Sequence, residues 1–357
     1  MSIIGWMITR MLLTRFVMIL VGLSIFIVSL DAATYAGDIL AIKNNNVNAI
    51  LIYAILRMPD ISSKFLPFAV LLATLLTLME LSYRNELTAI WGAGQSSFSI
   101  MKLILPIGLI LGGLNFLIQD QAVPRAAPIL HDWGIGDYGR KKIRVGEDDP
   151  IWLRADTDIL RAARSNAEST QLEDVTIFRR DAEGLVSEQI HAAIAILDGT
   201  RWELNDVLIY TRGNNPPEKL DRMIYSGNIR PAQSGARSGD PEEMSVQELS
   251  YFISNSGFGI KPVHLYETWR NKRLSLLISS FLMMALCVPL ASRFRRGGGL
   301  GIFFLIGVGL GWSYFVLEGI AMTMGEFGFV PPWMAVWVPV ASLAMLAATL
   351  GFNSESL

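Results

Sequence analysis

Ser292-Arg-Phe-Arg-Arg-Gly-Gly-Gly-Leu-Gly-Ile-Phe-Phe-Leu-Ile-Gly-Val-Gly-Leu-Gly-Trp-Ser-Tyr-Phe-Val-Leu317 decides the fold class. Three arginines stand before an uncharged run, Gly297–Leu317. A membrane helix takes about 20 mainly apolar residues, and this run supplies them. Basic clusters of this kind mark the cytoplasmic end of a span. On either side lie Leu274–Ser292 and Phe327–Ser354, also uncharged and long enough to cross. Toward the N-terminus, Phe16–Leu30, Phe65–Met79 and Leu103–Gln119 are uncharged but shorter. They span if flanking side chains such as Arg15, Lys64 and Lys102 reach out to the interface. The first run follows Arg10 and Arg15 as a signal peptide would, but Asp31-Ala-Ala is a weak cleavage site, so it reads as a retained helix.

Six spans leave an uneven chain. Of its 357 residues, 52% are apolar and 17% charged, against about 45–50% and 25% in soluble domains. Most of the charge lies between residues 123 and 273. The net charge of −2 gives no support to nucleic-acid binding. One cysteine, Cys287, excludes an internal disulfide and Cys-rich metal sites, and three scattered histidines make a His-based one improbable. With the N-terminus inside, the cytoplasmic segments hold Arg10, Arg15, Arg84, Lys102, Arg293, Arg295 and Arg296. The short outer loops hold only Lys43, Arg57 and Lys64. Both termini are therefore expected in the cytoplasm and residues 122–270 outside, which in a Gram-negative cell is the periplasm.

The outer segment changes rhythm. Ile151–Leu153, Leu172–Phe178, Ile190–Leu197, Trp202–Tyr210 and Met223–Ile229 read as strands separated by turn residues, which predicts a small all-β sandwich or jelly roll. Ser226–Pro241 reads as a linker, and Ser245-Val-Gln-Glu248 as a capping box opening a short helix. His264–Arg273 reads as an amphipathic lead into the fourth span. The expected division is 1–121 for spans one to three, 122–262 for the β domain with its linker, and 263–357 for spans four to six.

Catalytic patterns are missing. There is no Gly-x4-Gly-Lys-Ser/Thr loop, no HExxH and no Ser-His-Asp arrangement. Gly297-Gly-Gly-Leu-Gly301 opens a span and reads as a flexible turn, and Asp148-Asp149 beside Pro150 as an ordinary one. No catalytic residue and no metal ligand is assigned. Within the spans, Glu318 and Asp31 are the main ionisable groups, explained by solvation at span ends. Gly108-x3-Gly112 and Gly307-x3-Gly311 offer small-residue faces for close helix packing. Phe26 and Leu30 on span one, with Leu310, Tyr314 and Leu317 on span five, fall on helical stripes, which mark ordinary helix packing, lipid exposure or the lining of an apolar cavity for acyl chains.

Ser82-Tyr-Arg-Asn-Glu-Leu-Thr-Ala-Ile-Trp-Gly-Ala-Gly94, between spans two and three, is the most informative stretch for function. Tyr83, Leu87, Ile90 and Trp91 fall on one helical stripe, Arg84 and Glu86 point elsewhere, and Gly92 and Gly94 suit a helix end. Such a helix lies in the lipid interface or docks into a partner's groove.

Leu71-Leu-Ala-Thr-Leu-Leu-Thr-Leu-Met-Glu-Leu-Ser-Tyr-Arg-Asn-Glu-Leu-Thr-Ala-Ile-Trp-Gly-Ala-Gly-Gln-Ser96 resembles the signature of the LptF/LptG permease family, an Arg-x-Glu-Leu helix followed by a small-Gly-x-Ser turn. Tyr266-Glu-Thr-Trp-Arg-Asn-Lys-Arg-Leu before span four, Arg295-Arg-Gly-Gly before span five and Pro331-Pro332 before the last agree with it. Ile151-Trp-Leu-Arg and Leu172-Glu-Asp-Val-Thr-Ile-Phe look more like the G than the F subunit. The resemblance implies the inner-membrane half of an ABC transporter that extracts lipopolysaccharide. The implied partners are an LptF-like subunit, an LptB-like ATPase dimer that uses ATP and Mg, an LptC-like membrane-anchored jelly-roll protein and an LptA-like periplasmic bridge. This chain would need no cofactor. The resemblance also implies a lateral opening between spans one and five of opposite subunits, and an acidic contact to the ATPase at Glu86. One departure stands out: G subunits often carry basic residues at the outer end of span one, where this chain reads Ser29-Leu-Asp-Ala-Ala-Thr-Tyr-Ala-Gly-Asp38. The competing classes are a membrane-anchored sensor or scaffold with a partner-binding β domain, and a membrane enzyme acting on lipid. Copurification of an ATPase separates the permease from the sensor, and a catalytic cluster would favour the enzyme.

Overall fold

The computed structural model describes residues 3–42, 47–92, 97–136, 138, 151–155, 158–165, 171–181, 185–198, 201–211, 216–227, 240–254, 262–293 and 300–355. Gly94, the Asp148-Asp149-Pro150 turn, most of the 226–241 linker, Arg295, Arg296 and Gly297–Gly299 lie outside the described residues. Ten α-helices are described: α1 Ile3–Thr34, α2 Ala36–Ala41, α3 Val47–Tyr83, α4 Glu86–Gly92, α5 Ser97–Leu117, α6 Val123–Trp133, α7 Val246–Ser254, α8 Val263–Arg293, α9 Leu300–Glu326 and α10 Pro332–Glu355. A π-helical turn, Ile118–Ala122, joins α5 to α6. The chain divides into two compact units, Met1–Ile135 with Thr268–Leu357, and Gly136–Glu267.

In the first unit, five helices are long and apolar enough to cross a membrane, over Gly5–Thr34, Val47–Tyr83, Val263–Ala291, Gly301–Glu326 and Pro332–Phe352. The remaining expected span, Leu103–Gln119, lies on the 21-residue α5 and the π turn after it. Helix α3 runs much further than Phe65–Met79 suggests. Arg57 and Lys64, expected in an outer loop, are helical, and each pairs with Asp60 three or four residues away, which adds modestly to the helix.

The apolar core is built around α3 and α8. Leu66, Val70, Leu71, Leu75 and Leu81 of α3 are buried with Met283, Met284, Leu286 and Val288 of α8. Helices α5 and α9 close on this pair through glycines, as the small-residue spacing predicts. A methyl group on Gly112 would stand 2.2 Å from the Leu277 carbonyl oxygen, and one on Gly108 would stand 2.8 Å from the Phe281 Cα. Methyl groups on Gly307 and Gly311 would meet Leu75 and Leu71 at 2.5 Å and 2.2 Å. Without a hydrophobic drive between helices in lipid, such close approach is what gives van der Waals packing its hold. Phe68 and Phe315 extend the α3–α9 contact edge to face, with centroids 6.0 Å apart.

The second unit holds one antiparallel sheet of six strands in chain order: β1 Ile151–Ala155, β2 Asp158–Ser165, β3 Gln171–Arg180, β4 Val186–Asp198, β5 Arg201–Thr211 and β6 Glu218–Tyr225. Among the described residues the strands form one meandering sheet, where the strand spacing predicts a sandwich or jelly roll. Short connections pair each strand with the next. The sheet makes its own core by creasing. The pairs Glu173↔Ile194 and Val175↔Ala192 set Asp174 opposite Ala193, and Ala192↔Val207 and Ile194↔Asn205 set Ala193 opposite Asp206. Asp174 and Asp206 are left-handed, at φ 50° and 52°, a region that Asp tolerates better than most residues. Across this line the buried positions change parity: Leu172 then Val175 and Ile177, Ala195 then Ala192 and Ile190, Trp202 and Leu204 then Val207. Both halves of the sheet thereby feed one apolar cluster. The Ser245–Glu248 capping box forms as expected: the Ser245 N–H donates to Glu248 Oε2 at 2.8 Å and the Glu248 N–H to Ser245 Oγ at 3.3 Å.

Gly112 and Gly113 provide a matched test of the α5–α8 contact, since nothing lies within 4 Å of a methyl group on Gly113. Gly112→Ala should destabilise the protein by about 1–3 kcal/mol, as overpacking does. Gly113→Ala should be neutral or stabilising, by up to about 1 kcal/mol of helix propensity. Thermal unfolding in detergent measures both.

Candidate functional site

Two features of the helical unit carry the functional argument: the short helix α4, and the exposed apolar faces of α1 and α9. Helix α3 ends at Tyr83, and the chain turns at Arg84 and Asn85. The Arg84 and Asn85 N–H groups donate to the Glu80 and Ser82 carbonyls at 2.9 Å and 3.0 Å. Asn85 is left-handed, at φ 59°, which breaks the helix and redirects it into α4. The expected apolar stripe therefore does not lie on one helix. Tyr83 closes α3 and is 77% exposed, while Leu87 is 0% exposed and packs with Ile90 inside the protein's own core. Trp91 lies on α4 beside its last residue, Gly92. Leu87 and Ile90 thus hold α4 to its own bundle instead of offering themselves to a groove. Tyr83, Arg84 and the half-buried Glu86 face outward.

The apolar stripes of α1 and α9 also separate. Phe26 is 59% exposed, and Leu30 and Leu317 are about half exposed, as residues meeting acyl chains would be. Leu310 is half-buried against the core. Tyr314 is enclosed. It is 5% exposed, and its hydroxyl donates to Glu318 Oε1 at 2.9 Å. Helix α1 buries only 22% of its most apolar window and the Gly301–Glu326 segment of α9 28%, against 78% for the Val263–Ala291 segment of α8. These two helices are left for lipid or for another protein to cover.

The charges among the helices are tied in pairs that the sequence does not reveal. At one end of α1, Asp31 Oδ2 accepts from the Tyr53 hydroxyl at 2.8 Å and from Arg57 Nε at 3.1 Å. Arg57 Nη1 also donates to Asp60 at 2.8 Å, and Lys64 sits 3.0 Å from the same carboxylate. Two carboxylates and two cations balance, so the acidic end of α1 is neutralised by α3. Midway along, Ser62 donates to Ser24 at 3.0 Å. At the other end, Glu80 of α3 pairs with Arg15 of α1 and, at 2.7 Å, with Arg84. Lys272 of α8 lies 2.6 Å from Glu318 of α9. Trp269 Nε1 donates to Glu326 at 2.7 Å, and Trp337 Nε1 of α10 donates to Asn271 at 3.2 Å. Asp31 and Glu318 are thus held by specific partners and are not merely solvated, as the sequence reading had them. The histidines fall on three separate elements, His131 on α6, His191 on β4 and His264 on α8.

Removing one member of the Lys272–Glu318 pair leaves a charge in a site where Glu318 is almost fully enclosed. Such losses typically cost about 3–5 kcal/mol. Lys272→Met should show a loss of that order in unfolding experiments, and the double variant Lys272→Met, Glu318→Gln should recover most of it.

The sequence model of the family described as lipopolysaccharide export system permease LptF/LptG matches residues 6–351, both units included. The chain is 22% identical over 309 residues to the lipopolysaccharide export system permease protein LptG of Escherichia coli strain K12, with 84% of each chain covered. It matches the protein of the same name from a second E. coli strain, O6:H1, equally well.

Proposed function

The chain belongs to the LptF/LptG family of lipopolysaccharide export permeases, and from that premise we propose that it is the LptG-like subunit that draws lipopolysaccharide out of the inner membrane. The observation that carries this reading is the extent of the family match, which takes in helical unit and sheet unit alike. The protein is a membrane permease subunit. It moves lipid and makes or breaks no bond. Energy comes from an LptB-like ATPase dimer that binds ATP and Mg, seated against Tyr83 and Glu86 at the head of α4. An LptF-like subunit completes the permease, and the apolar faces of α1 and α9, with Phe26, Leu30 and Leu317, line the path for acyl chains. Six spans place both termini in the cytoplasm. The creased sheet stands in the periplasm and hands the lipid to LptC-like and LptA-like jelly-roll proteins. At the Asp31 end of α1, where Arg57 and Lys64 are already matched by carboxylates, the lipid is recognised by something other than an unmatched row of basic residues.

Photo-crosslinkers at Phe26, Leu30 and Leu317 should capture lipopolysaccharide during transport, while one at the enclosed Tyr314 should not. Equal capture at all four positions, or at none, would remove the assignment of these faces. A cysteine at Asp221 on β6 should react with an impermeant maleimide from the periplasm, and one at Ser292 only after the inner membrane is opened. Glu86→Ala should weaken ATPase copurification, by a few kcal/mol if the contact is desolvated. Unchanged copurification would separate α4 from the ATPase.

A further inference from the structure

We infer that Glu80 is the positioning residue through which movement of α4 reaches α1. The inference rests on the reading of α4 as the seat of the ATPase and adds a route from that seat to the lipid-facing helix. One carboxylate has its two oxygens committed to two different arginines. Oε2 meets Arg15, which lies on α1, and Oε1 meets Nη2 of Arg84, which lies in the turn opening toward α4. The same turn is fixed to Glu80 by the backbone, through the Arg84 N–H on the Glu80 carbonyl.

On the far side of the turn, the Ala89 N–H donates to the Asn85 carbonyl at 3.0 Å, so α4 starts directly from the left-handed residue. Among the described residues, this turn is what joins α4 to α3. The buried face of α4, Leu87 and Ile90, belongs to the apolar cluster that includes Ile8, Leu12 and Phe16 of α1. The apolar contact lets α4 slide while staying attached, because dispersion forces do not fix direction. The carboxylate does fix it.

Among the described residues, α1 is tied to α3 by Arg15 to Glu80, Ser24 to Ser62, and Asp31 to Tyr53 and Arg57. Of these three, only the Glu80 tie has a second arm on the turn. Without the Glu80 charge, Arg15 and Arg84 would be two like charges with no carboxylate between them, and the turn and α1 would be free to move apart. The other two ties would still hold α1 to α3.

The test uses the complete transporter in proteoliposomes: this chain with its partner permease subunit and the ATPase, with lipopolysaccharide in the membrane. Copurified ATPase, ATP hydrolysis, melting temperature and lipopolysaccharide extracted per ATP are measured for Glu80→Gln, Arg15→Gln and the double variant. Each single variant should keep ATPase association and hydrolysis within twofold of the parent and lower the lipid extracted per ATP at least fivefold. The double variant should be no worse than either single one, since residues acting as one unit do not add. A purely structural loss would lower the melting temperature and hydrolysis together, and that result would overturn the inference. So would extraction per ATP within twofold of the parent in Glu80→Gln, or a loss of ATPase association there. Glu86→Ala in the same assay reports on the seat alone. Reduced association in that variant beside normal coupling in Glu80→Gln leaves the seat standing and removes the relay.

Discussion

Ionisable side chains among apolar helices must be matched, and that requirement organises the helical unit. A lone charge inside a bilayer costs several kcal/mol, and Asp31, Arg57, Asp60, Glu80, Lys272 and Glu318 each end on a partner. Those partners lie on particular neighbours. Glu80, Ser62, Tyr53 and Arg57 bind α1 to α3 at three levels. Trp269, Asn271 and Lys272 bind the start of α8 to α9 and α10. Where no charge intervenes, glycines bring α5 onto α8 and α9 onto α3. Polar ties and glycine seams thus hold different pairs of helices together.

Much of this was legible in the sequence because membrane solvation is a composition rule. Five of the expected spans overlap described helices long and apolar enough to cross a membrane, the third overlaps α5, and the Gly108/Gly112 and Gly307/Gly311 faces lie at helix contacts. Strand β2 escaped because Arg161 and Arg164 interrupt it and its inward residues are only Leu160 and Ala162. Strand β6 was placed too late because its first half, Glu218-Lys-Leu-Asp-Arg222, is mostly charged. The crease was not legible at all. Two aspartates in left-handed conformation leave no mark on a hydrophobic pattern except a change of parity, visible only once the register is known.

The site was less legible than the fold for the same reason. Helical periodicity put Tyr83, Leu87, Ile90 and Trp91 on one face, but a single positive φ at Asn85 splits that face between two helices. The family resemblance singled out this segment but not which side of it the protein keeps for itself. Glu80 and Lys272 lay within quoted stretches and went unassigned, because a salt bridge between helices needs their pairing as well as their composition. Tyr314 looked like a lining residue because its spacing was right, whereas its hydroxyl is directed at Glu318.

Together these ties describe a permease subunit with a short helix at one end of α3, a carboxylate that joins its turn to α1, and apolar faces on α1 and α9 that the chain itself leaves uncovered. The most direct measurement is the release of lipopolysaccharide from proteoliposomes holding this chain, its permease partner and the ATPase, with an acceptor protein outside. The account predicts release that depends on ATP and ends when this chain is left out. Release that is indifferent to ATP, or equal without this chain, would contradict it.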